Sequence, residues 1–309
     1  MNVCNSSVGD NSLSYMNCCQ KCSNRFDCSK NFGTIDWVRG NCFWCRYDCM
    51  WETTELFERS YGFIPKFHGK WPFYATSVPG LEFVIQEPAS VVFSLFNLIT
   101  VFVMLRRIKQ IENLENRNMW IVYAYIGLAT WICSTIFHMI DCDVTEKMDY
   151  FTAFSFVLAA LYVSLIFTRP SLTYTFNGRK LKSIITFAFV CFYCYHIISM
   201  INHFDYGYNM NVCIVSSILT TILYLYHLIN RKRMYGSLQA SDILLIRLIV
   251  WANLSTALEI LDFVPVFWIF DSHSLFHLAT VPIPLWWADF LYQTFSQSSL
   301  QPSHPHKIA

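Results

Sequence analysis

The run ASVVFSLFNLITVFVMLRRIK, residues 89–109, decides how the rest of the chain is read. Its first part, 89–105, is apolar and long enough to cross roughly 30 Å of hydrocarbon as a helix. It stops at Arg106, Arg107 and Lys109. Six more runs of this kind follow, near 119–139, 150–168, 183–201, 212–229, 243–263 and 274–293. The sequence therefore predicts an all-α membrane protein, a seven-transmembrane helix bundle over 86–295. Only the last run, with Pro282 and Pro284 inside it, is irregular. Kinks of that sort are tolerated where neighbouring helices re-satisfy the backbone.

Composition agrees. Of 309 residues, 54% are hydrophobic and 14% charged, against about 25% charged in an average soluble domain. A net charge of +1 gives no basic footprint for nucleic acid. There is no Gly-rich phosphate loop and no GxSxG nucleophile elbow.

The connecting loops give the orientation. The first carries Arg106, Arg107, Lys109 and Arg117, the third Arg169, Arg179, Lys180 and Lys182, and the fifth Arg231, Lys232 and Arg233. The second holds only Lys147, while NHFDYGYNMN (202–211) and PVFWIFDS (265–272) contain no Lys or Arg. By the positive-inside rule the odd loops are cytoplasmic. The N-terminus is then lumenal and the tail 296–309 cytosolic.

The N-terminal segment, 1–85, supports the same side. Cys4, Cys18, Cys19, Cys22, Cys28, Cys42, Cys45 and Cys49 fall within its first fifty residues, a density that reads as disulfide-bonded and hence lumenal. CFWC at 42–45 also has the spacing that opens a zinc knuckle, but no matching pair at ribbon spacing follows. Asn5-Ser6-Ser7 is a glycosylation sequon. MNVCNSSVGDNSLSYMN lacks the basic and apolar regions of a signal peptide. The expectation is a truncated or altered start, or translocation driven by the first transmembrane helix.

Polar residues converge on the lumenal end of this map. Ser134 and His138 lie four apart on one face of the second span, and His273 and His277 repeat that spacing at the start of the seventh. Asp149 opens the third. Three neutral imidazoles make the three-ligand zinc arrangement that leaves one position for water. Zinc lowers that water's pKa to about 7. Asp149 would accept its proton or orient a histidine from behind, and Ser134 would donate to the oxyanion of an attacked carbonyl. The same residues also suit a proton or ion pathway, or plain interfacial positions. Glu87, Ser90, Ser94 and Asn97 form a polar row at helical spacing that suits interhelical hydrogen bonding. Glu259 and Asp262 suit a supporting role behind the histidines, while His196, His203, His227, His304 and His306 read as structural or solvated.

The pattern STIFH (134–138), Asp149 and HSLFH (273–277) resembles that of a superfamily of seven-helix membrane hydrolases, which includes alkaline ceramidases and the progestin-and-adipoQ receptors. More narrowly, FHGKWPF (67–73), QEPAS (86–90), DVTEKMDYF (143–151), FDYGYN (204–209) and LEILDFVPVFWIFDSHSLFH (258–277) resemble the post-GPI attachment to proteins factor 3 (Per1-like) family. That resemblance implies a GPI-specific phospholipase A2-type hydrolase of the endoplasmic reticulum or Golgi membrane. Its partners would be GPI-anchored proteins, whose anchors lose the sn-2 acyl chain. His138, His273 and His277 would hold zinc, with Ser134 and Asp149 assisting. The superfamily pattern also leaves open a ceramide-type lipid amidase, or a non-catalytic receptor or escort of GPI-anchored proteins.

Overall fold

The computed structural model describes residues 7–77 and 84–296. The sequon at Asn5, Cys4, and the tail with His304 and His306 lie outside the described residues.

The N-terminal segment is a disulfide-laced helical hairpin. Helix α1 (Leu13–Phe26) starts at Ser12, whose hydroxyl accepts the Tyr15 N–H, and ends at Asp27 in the left-handed region. Helix α2 (Gly40–Tyr61) stops at Gly62, where φ is +72°. Cys18 and Cys22 on α1 meet Cys49 and Cys45 on α2, and Cys28 closes onto Cys42. Four-residue spacing on both helices sets each pair on one face, so antiparallel packing dictates the pairing. Cys42 and Cys45 are thus bridged to other partners, which removes the zinc-knuckle alternative. Cys19 stays reduced and buried. Trp37, fully buried, donates its indole N–H to the Ser29 carbonyl at 2.8 Å.

This segment is too small to depend on apolar burial alone. Replacing Cys22 and Cys45 together by serine is expected to cost it about 2–4 kcal/mol. Native-state proteolysis of the full chain reads this as faster cleavage within 13–61, and an unchanged rate would contradict it.

Among the described residues six helices are long and apolar enough to cross a membrane: α3 (Pro88–Gln110), α4 (Arg117–Met139), α5 (Asp143–Thr168), α7 (Phe176–Asn202), α8 (Tyr206–Tyr235) and α9 (Ala240–Ile260). A one-turn α6 (Ser171–Tyr174) precedes α7. Helices α7 and α8 leave large apolar side chains exposed, Ile184, Phe187, Val215 and Ile222 among them, a surface that hydrocarbon solvates and water does not. The chain is a multi-pass membrane protein. The seventh apolar run is broken into α10 (Ser272–Thr280) and α11 (Ile283–Ser296). Pro282, two positions past Thr280, explains the break: it offers no N–H and its ring clashes with the preceding turn, while Pro284 sits in the first turn of α11, where no N–H is needed. The ladder restarts with Trp286 N–H on the Pro282 carbonyl. Neither half alone reaches the span length.

Two compact units result. The first comprises the chain up to Leu95 with Ile132–Asp149 and Thr256–Ala279; the second comprises Phe96–Trp131, Tyr150–Ser255 and the chain from Thr280 on. The second has its own apolar core, with Trp120, Ile108, Leu245, Phe290 and Leu291 all nearly inaccessible.

Candidate metal centre

Every residue of the centre belongs to the first unit. Helix α4 presents Ser134 and His138 one turn apart near its C-terminal end. Helix α10 presents His273 and His277 the same way, and its start is fixed by a reciprocal cap. Asp271 Oδ1 accepts the Ser274 N–H at 2.8 Å, and Ser274 Oγ accepts the Asp271 N–H at 3.0 Å. The three imidazoles meet, with ring centroids 4.5–5.1 Å apart. One ring nitrogen from each lies within 4.8 Å of the other two.

What lies behind each ring decides which nitrogen faces the centre. His138 Nδ1 is 2.7 Å from Glu87 Oε2, and His273 Nδ1 is 2.7 Å from Glu259 Oε2. A carboxylate only accepts, so both Nδ1 atoms carry a proton and both Nε2 atoms are the ones turned toward the centre. Those Nε2 atoms are 3.3 Å apart. At that distance one shared proton, or a metal cation in its place, joins the two nitrogens. Ligands about 2.0–2.1 Å from a tetrahedral zinc lie about 3.4 Å from one another, so the donor set fits that ion. His277 Nδ1 is 2.8 Å from Ser94 Oγ, which lies 3.1 Å from Ser134 Oγ.

His138, His277, Ser94 and Ser134 are buried. His273, with 34% of its side chain exposed, marks the accessible side. Asp149 is half-buried and close enough to His138 and His273 to interact with both electrostatically. It sits two turns inside α5, which begins at Asp143, rather than opening the helix.

Three assignments change. Glu87, read from sequence as one of a hydrogen-bonding row, grips His138 directly, and Ser94 from the same row grips His277. Of the carboxylates suggested as support, Glu259 takes that role, but Asp262 binds Lys66 Nζ at 2.6 Å and Trp71 Nε1 at 2.8 Å. Asp141 pairs with Lys70 at 2.7 Å, and Lys70 pairs with Glu87 at 2.6 Å. Burial alone would raise the Glu87 carboxyl, but Lys70 and His138 outweigh it and hold Glu87 below the usual carboxylate range. A glutamate directly before a proline-led apolar helix was the one sequence signal for this role. His196 belongs to the second unit, stacked between Phe154 and Tyr208 at 3.9 and 5.3 Å, and His227 packs on Phe167 there.

Residues 34–295 match the model of the Per1-like family. The GPI-specific phospholipase A2-like PGAP3 of Mus musculus is 35% identical over 248 residues, covering 77% of this chain and 71% of its own. Post-GPI attachment to proteins factor 3 of Drosophila melanogaster is 32% identical over 302 residues, 91% of this chain and 87% of its own. The GPI-specific phospholipase A2-like PGAP3 of Homo sapiens is 31% identical over 255 residues, 80% and 73%. No solved structure matches.

Proposed function

This chain belongs to the Per1-like family, and from that premise we propose that it remodels GPI anchors as a membrane-embedded hydrolase, releasing the sn-2 acyl chain of anchors already attached to protein. The names of its relatives support the pathway. The trio of imidazoles, each tied behind to Glu87, Glu259 or Ser94, supports the chemistry.

Zinc held by His138, His273 and His277 would supply a Lewis acid and a water acidified to a pKa of about 7. The protein's own groups have separate tasks. Glu87 and Glu259 lock the ring orientations and raise the basicity of the facing nitrogens. Asp149 takes the proton that the attacking water loses and returns it to the departing glycerol oxygen. Ser134 donates to the carbonyl oxygen as charge gathers there, its hydroxyl oriented by Ser94. The bridged N-terminal segment suits an oxidising compartment, and the alternation of basic loops supports a lumenal segment with a cytosolic tail. An endoplasmic-reticulum or Golgi membrane satisfies both.

The test is mass spectrometry of GPI lipids from cells lacking the protein. Wild type restores the remodelled lipid. Ser134→Ala, at equal abundance, slows acyl release about 10²–10³-fold and leaves the remodelled fraction near background. Full restoration by that variant would sink the role given to Ser134. A product that kept its ester but lost an amide would shift the reading to a ceramide-type amidase.

A further inference from the structure

The motif FHGKWPF, 67–73, has no part in the chemistry above. Its centre is a tight turn. Phe67 and Lys70 exchange both backbone hydrogen bonds, at 2.8 and 2.9 Å. Between them His68 and Gly69 both have positive φ, +49° and +81°, as a type I′ turn requires. The turn is clamped from several sides. Asp10 Oδ2 accepts the His68 N–H and Ser7 Oγ the Gly69 N–H, each at 2.7 Å. Phe67 is buried against Tyr15, ring centroids 4.9 Å apart. On the flanks Lys66 and Trp71 both donate to Asp262 at the end of α9.

A turn held this firmly delivers one side chain to one place. Lys70 Nζ sits 2.6 Å from Glu87 Oε1, 2.7 Å from Asp141 Oδ2 and 3.9 Å from the centre of the Phe137 ring. The other Glu87 oxygen faces His138 Nδ1. With both oxygens engaged, the carboxylate plane is fixed, and with it the imidazole it holds.

We propose that Lys70 is a positioning residue of the metal centre: through the 67–70 turn, the cysteine-rich segment supplies the cation that fixes Glu87 and thereby His138, with Nε2 turned to the metal. The proposal deepens the zinc reading above and rests on it. A mere tie between the segment and the helices would give the same ion pair, so the test must read the coupling.

The measurement is zinc affinity of the purified full chain, by competition with a chromogenic chelator, across Lys70→Met, Glu87→Gln, their combination and Lys70→Arg. Lys70→Met and Glu87→Gln should each weaken zinc about 10–100-fold. The combination should be no weaker than Glu87→Gln alone, because the lysine acts only through that carboxylate. Lys70→Arg should recover most of the affinity. Losses that multiply, or a Lys70→Met affinity within about threefold of wild type, overturn the proposal. If Lys70→Met does not accumulate, Lys70→Gln replaces it with the same expectation. A wild type that holds no zinc defeats the metal reading separately. The same cycle is then read in the remodelled-lipid assay, where non-multiplying losses keep Lys70 as the support of a metal-free centre and multiplying losses overturn it.

Discussion

Replacing His138 and His273 together by alanine is expected to take zinc from about one ion per chain to none and to abolish acyl release. On the proposed assignment each imidazole would give the ion one nitrogen, and His277 alone would bind it too weakly to survive purification. The fold should tolerate the change. Glu87 loses His138 but keeps Lys70 as its partner, and His273 is the partly exposed member of the trio. Metal analysis and abundance on the same preparations decide the matter. Zinc retained at wild-type stoichiometry would falsify the assignment of ligands. The rival cluster of sulfurs, Cys18, Cys22 and Cys49, is a poor alternative because all of them are bridged, and reductant would separate the cases. Zinc on the histidines would survive a phosphine reductant, which carries no zinc-binding thiol, whereas zinc on freed thiols would appear only after it.

Asp149→Asn should lower kcat for acyl release about 10²–10⁴-fold, the usual contribution of a general base, with zinc content unchanged. Asparagine has nearly the size of aspartate and keeps a hydrogen-bonding oxygen, so packing in α5 is preserved. What it lacks is the capacity to take a proton. The loss should therefore fall on kcat with little change in KM. A kcat within about threefold of wild type would remove Asp149 from the reaction. Zinc lost in the variant would instead make it a support of the ligands.

Much of the fold is legible in the sequence because hydrocarbon imposes simple demands. Six runs of sufficient length became six long helices, and the two prolines of the seventh foretold its break between Thr280 and Ile283. The four-residue spacings of Ser134 with His138 and of His273 with His277 are local, so helix geometry alone set each pair on one face. The roles of Glu87, Lys70 and Asp141 were not legible. Their ion pairs join residues 17 and 71 positions apart, and no periodicity records such a distance. Glu87 also fits the spacing of the Ser90–Ser94 row, which hid it among residues of ordinary polarity. The disulfide pattern stands between these cases. Eight cysteines allow about 105 connectivities, but two bridges follow once α1 and α2 are known to be antiparallel helices.

Phe67, at the foot of the Lys70 turn, packs in one cluster with Tyr15, Trp37, Cys22, Cys28 and Cys49. That cluster holds together through bonds that thiols form only after the segment has left a reducing environment. Those bonds therefore hold the platform on which Lys70 stands. On the proposed role of Lys70, the centre's geometry then depends on the oxidation state of a region that contributes none of its histidines.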